Sequence, residues 1–139
     1  MNQNQKDMVL GLSGEDKVLN FLNETNECEF KQYPNKWATF DFYSDDDHIV
    51  ELKSRRNSYS KYDTTMIGVN KLSKALSDNT KKYVFLFLFT DGLYKWDLNR
   101  GQYYIKYGGR QDRGIDERKT YAFINIDNLT LLTDEITSL

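Results

Sequence analysis

Apolar and polar positions along this chain follow two periods, and the switches between them divide it into elements. From Leu12 to Asn23 the period is helical: Val18, Leu19 and Leu22 recur on one stripe, Ser13 is placed to cap, and Glu15 and Asp16 sit in the first turn. The residues before it, Met1 to Lys6, are polar and read as a frayed end with no export signal. Three extended segments follow, Cys28 to Tyr33, Trp37 to Tyr43 and His48 to Arg56, separated by Pro34-Asn35 and by Asp45-Asp46-Asp47. They predict an antiparallel meander. From Asp63 to Leu76 the helical period returns, with Thr65, Val69, Leu72 and Leu76 along one stripe.

Tyr83 to Thr90 is continuously apolar, which predicts a central strand buried on both faces. Asp91-Gly92 is a hairpin signal leading into Leu93 to Leu98. Gln102 to Tyr107 and Lys119 to Ile126 read as two more strands around a Gly- and Arg-rich loop, and Asn128 to Leu139 has no single period. The order αβββαβ with additional C-terminal strands predicts a mixed-sheet α/β fold built as one domain over residues 1–139.

Composition narrows the chemistry. The longest apolar run, Tyr83 to Phe89, falls well short of the roughly 20 residues a membrane-spanning helix needs, so a cytosolic, non-secreted protein without a membrane partner is expected. One Cys, Cys28, and one His, His48, exclude a disulfide framework, a cysteine zinc site and a histidine-rich metal site. Asp45-Asp46-Asp47 reads as a solvated turn. The net charge of -2 argues against coating nucleic acid by bulk charge. Its distribution is uneven, however: Ile49 to Lys82 holds eight basic against three acidic residues, and Leu93 to Lys119 seven against four.

The hairpin around the Asp turn carries the candidate site. Like faces must pair, so Phe42 should oppose Val50 and Phe40 should oppose Leu52, which places Asp41 opposite Glu51. Directly opposed carboxylates need a compensating cation, and oxygen-rich sites of this kind suit Mg²⁺ or Mn²⁺. Lys53, two residues beyond Glu51 on the same face, could position a water or stabilise phosphate charge. Glu15 lies in line with the apolar stripe of the first helix and so needs a partner, either a metal or a cation such as Lys53.

Asp41, the Glu51-Leu52-Lys53 tripeptide on the next strand, the preceding helix with Gly14-Glu15, and the following helix and apolar strand together resemble the PD-(D/E)XK nuclease superfamily, with Phe40 where the family name has Pro. The resemblance covers Leu12 to Leu98 and is nearest the small resolvase-like or phage-type members. It implies a metal-dependent endonuclease acting on DNA, with Mg²⁺ or Mn²⁺ held by Asp41 and Glu51, Lys53 beside the attacking water, and Glu15 as an accessory ligand. It also implies branched or structured DNA as the substrate and a homodimer. Lys71, by resemblance, would reach phosphate. Arg55, Arg56, Lys61, Arg110 and Arg113 are candidate DNA contacts, with Tyr59 and Tyr62 placed to stack on nucleotides. The alternative is a catalytically silent module of the same fold that binds nucleic acid or protein.

Overall fold

A computed structural model of the chain describes residues 3–35, 38–98, 102–108 and 119–138. The elements are helix α1 (Gln3–Thr25), strands β1 (Phe30–Gln32), β2 (Phe42–Ser44), β3 (His48–Ser54) and β4 (Thr64–Gly68), helix α2 (Val69–Ser77), and strands β5 (Lys82–Phe89), β6 (Gly92–Trp96), β7 (Tyr103–Gly108), β8 (Lys119–Asn125) and β9 (Leu129–Thr133). A short 3-10 turn, Ile126–Asn128, joins the last two strands.

Six strands form the main sheet in the order β1-β2-β3-β5-β6-β9, and β4-β8-β7 form a smaller one. The predicted meander is present, since β1 pairs antiparallel with β2 and β2 with β3. The connection from β3 to β5 runs through β4 and α2, so β5 lies parallel to β3 in the middle of the sheet. Five consecutive residues of β5, Phe85 to Phe89, are almost wholly buried. Strand alternation divides them. Leu86 and Leu88 join Val18 and Leu22 of α1, with Phe42, Val50 and Leu52, in one core. Phe85, Phe87 and Phe89 face the opposite way, toward Leu72 and Ala75 of α2 and Ile67, Ala122 and Ile124 of the smaller sheet. The main sheet is therefore sandwiched, which is the mixed α/β architecture the order of elements predicts.

Several boundaries differ from expectation. Helix α1 already begins at Gln3, so Ser13 is internal to it and the polar residues from Gln3 on are helical rather than frayed. The second helix is shorter than predicted: Thr64 to Gly68 is a strand whose residues alternate between half-buried and buried. Its Thr-Thr-Met-Ile run has β-branched residues at period two, and pairing with β8, from Thr64 against Asn125 to Gly68 against Tyr121, selects the extended form. The ambiguous C-terminal segment supplies β9 at the edge of the main sheet. The Gly- and Arg-rich loop, including Arg110 and Arg113, lies outside the described residues.

Candidate active site

The β2–β3 register is the one predicted, with Phe42 opposite Val50 and Tyr43 opposite Ile49. The ladder stops there, so neither the expected Asp41–Glu51 pair nor the expected Phe40–Leu52 pair is part of it. Asp41 still donates its backbone N–H to Val50 O at 3.0 Å, but its carboxylate folds onto β3, where Oδ2 accepts from the Leu52 N–H at 2.7 Å. One oxygen of the carboxylate is thus tied to the backbone beside Glu51.

Glu51 sits mid-β3 and is only 4% exposed. Two lysines face it. Lys53 Nζ is 3.5 Å from Oε1, as the shared strand face predicts, and Lys71 Nζ, arriving from α2, is 3.1 Å from Oε2. Each carboxylate oxygen thus has an ammonium beside it, the closer one on Oε2. Burial, and then the charge of Asp41, push the Glu51 carboxyl above its ordinary pKa, against the opposing pull of the two lysines. Lys71 also stands 5.1 Å from the centre of the Phe40 ring, so the residue at the family's Pro position forms an aromatic wall beside the lysine.

Glu15 approaches from α1. Its pKa is raised by partial burial and then by the charge of Asp41, which also raises that of Glu51. The hydrogen-bonded partner of Glu15 is neither of those expected from sequence: Gln32 Nε2 on β1 donates to its Oε2 at 2.8 Å. Gln32 was missed, although a signal existed. Phe30 and Gln32 share one face of a strand, and Phe30 packs into the core beneath α1, so Gln32 points toward the same helix.

The candidate DNA contacts separate. Lys71 joins the carboxylates, while Arg56 and Lys61 are exposed, Lys61 lying 5.5 Å from the centre of the Tyr62 ring. Arg55 is turned inward: its guanidinium donates to Met66 O at 2.6 Å, and burial lowers its pKa. Tyr59 stacks on Tyr94 with centroids 4.2 Å apart and donates its hydroxyl to Ile126 O at 2.7 Å.

Over residues 7–131 the chain matches the family described as "Phage putative PDDEXK endonuclease". The chain belongs to that family, and so to the PD-(D/E)XK superfamily in its phage-type branch. A search among curated proteins found no match. Membership indicates a nuclease, a hydrolase acting on nucleic acid, and the wider superfamily works with divalent metals. Among the described residues, no helix is long and apolar enough to cross a membrane.

Proposed function

We propose that this chain is an Mg²⁺- or Mn²⁺-dependent endonuclease that hydrolyses DNA phosphodiester bonds, with branched or otherwise structured DNA as its substrate. One observation supports this most: Glu51, buried to 4% exposure with a lysine beside each carboxylate oxygen, also feels the charge of Asp41, as does Glu15 of α1. Two lysine ammoniums answer Glu51, and a divalent cation would offset the remaining negative charge of Asp41 and Glu15. The donor set is all oxygen, which fits a hard divalent ion.

In this reading Asp41 and Glu51 hold the metal and Glu15 assists them. When bound, the ion would neutralise the cluster and polarise a phosphate oxygen as a Lewis acid. The chain's own groups do the rest. The Leu52 N–H fixes the Asp41 carboxylate, and Gln32 fixes that of Glu15. Lys53, about one-third exposed, is placed to orient the attacking water and offset charge developing on the phosphate. Lys71, more deeply covered, holds Glu51 from the other side.

The test is cleavage of labelled linear duplex, single-stranded, flap and four-way-junction DNA with Mg²⁺, Mn²⁺ or EDTA, beside Lys53→Ala. Metal-dependent cutting that is strongest on the junction or flap and lost in the variant is expected. Salt-sensitive binding without cutting under any metal would overturn the enzymatic reading in favour of a silent binding module. Preferential cutting of linear duplex would overturn the structured-DNA substrate alone.

A further inference from the structure

The turn between β2 and β3 gathers a second, chemically different set of ligands. The Cys28 thiol, an Asp46 carboxylate oxygen and a His48 ring nitrogen all lie within 4.8 Å of one another. Asp46 Oδ1 is 2.5 Å from His48 Nδ1 and also accepts from the Ser44 hydroxyl, while Ser44 Oγ accepts the His48 backbone N–H at 3.0 Å. Cys28 comes from the segment just before β1, so residues far apart in sequence converge on one carboxylate.

The backbone accounts for the convergence. Asp47 has φ of 72°, the left-handed region, so the chain reverses at that residue and Asp46 and His48 fall on one side. Asp47 itself is used elsewhere: its carbonyl accepts from the Lys82 N–H at 2.8 Å, and its carboxylate pairs with Lys81 Nζ at 2.9 Å. The turn is pinned to the start of β5, with the buried Phe30 ring 5.7 Å from the imidazole, before any ligand arrives.

We propose that Cys28, Asp46 and His48 form a binding site for a zinc-class transition-metal ion, separate from the oxygen-only cluster at Asp41 and Glu51. One sulfur, one nitrogen and one oxygen donor suit Zn²⁺ or Co²⁺ and are a poor match for Mg²⁺. Ligand atoms around a tetrahedral zinc stand about 3.5 Å apart, given bonds of roughly 2.0 to 2.3 Å. A spread within 4.8 Å closes onto that geometry by side-chain rotation, the Asp46–His48 pair opening as the thiol moves in. Three protein ligands leave a fourth position for water. His48 and Glu51 are three residues apart on β3, about 10 Å at strand rise, so the two sites can be filled independently.

Co²⁺ titrated into the full chain under reducing conditions is the direct probe, because only a thiolate ligand gives an intense near-ultraviolet charge-transfer band. One equivalent should produce that band, and Zn²⁺ should bleach it. Cys28→Ser should abolish it, His48→Ala should weaken Co²⁺ binding by more than the roughly 10–100-fold seen for groups lying behind metal ligands, and Glu51→Gln should leave it intact. No thiolate band in the folded wild-type chain would overturn the proposal, whatever the variants do. So would Co²⁺ binding that Glu51→Gln removes and Cys28→Ser does not. Either result leaves the nuclease reading untouched, since that is decided by DNA cleavage.

Discussion

Glu51 shows how burial turns an ordinary acid into a candidate for chemistry. Through burial first and the charge of Asp41 second, its carboxyl is easier to protonate in the folded chain than in the unfolded one, despite two lysines. The linkage has a definite sign. A carboxyl whose folded pKa is raised binds more protons in the native state, so metal-free stability falls as pH rises from about 4.5, the ordinary value, up to the raised one. Glu51→Gln should therefore be more stable than wild type near neutral pH in EDTA, the gap widening with pH over that window, while cleavage drops at least about 100-fold. Urea denaturation at stepped pH would check it, and a less stable variant would mean that the lysine pairs outweigh burial. Asp78 works the opposite way. Hydrogen bonds from Thr80 and Tyr83 hold it at about 2, and its contribution is lost only as pH falls below the ordinary carboxylate range. The three consecutive aspartates after Ser44 also part company: Asp45 is exposed, Asp46 turns in to Ser44 and His48, and Asp47 turns out to Lys81. All three are exposed, as a solvated turn predicts, and two of them nonetheless hold specific partners. Side chains of identical type are told apart by the backbone angle at Asp47, which no composition reveals.

At the scale of elements, helix α1 shows what crosses the sheet and what does not. Gly14 lies within it, and a methyl group there would meet Leu88 Cδ2 at 3.6 Å and Ser54 Oγ at 3.9 Å, both ordinary contacts. No close approach demands glycine, so Gly14→Ala should stabilise the chain by roughly 0.5–1 kcal/mol, read as a raised Tm with cleavage unchanged. Gly92 is the contrasting case. A Cβ there would stand 3.0 Å from Thr133 O on β9, and Gly92→Ala should lower stability by roughly 1–2 kcal/mol by prising the two strands apart. Hydrogen exchange in β9 would localise the damage. The hairpin from β5 to β6 and the register of β2 on β3 were both legible from sequence, because like faces had to pair and a short turn fixed the offset. Strand β4 was not. Its alternation runs directly into the helical stripe of α2, and only β8, more than fifty residues later, decides where one ends.

Across the whole molecule, the linear excess of positive charge from Ile49 to Lys82 is only partly available to DNA. Lys53 and Lys71 face Glu51, Lys81 pairs with Asp47, and Arg55 points at a carbonyl. Arg56 and Lys61 stay exposed, so Arg56→Ala and Lys61→Ala should each reduce the slope of log affinity against log salt by about one in fluorescence anisotropy titrations. Arg55→Ala should instead lower the Tm with little change in that slope, because it leaves the Met66 carbonyl without its donor. The sequence by itself determined the mixed α/β order of elements, the doubly buried β5, the hairpin register, and the placing of Glu51 and Lys53 on one strand face. Those features depend on periodicity and short turns, which are local. Only the tertiary structure decided that Lys71, with Phe40 beside it, reaches Glu51, that Gln32 holds Glu15, that Arg55 turns inward, and that Cys28 meets Asp46 and His48. Each of these joins residues from different elements, and the packing of two faces of one sheet, not the spacing of residues along the chain, sets which of them meet.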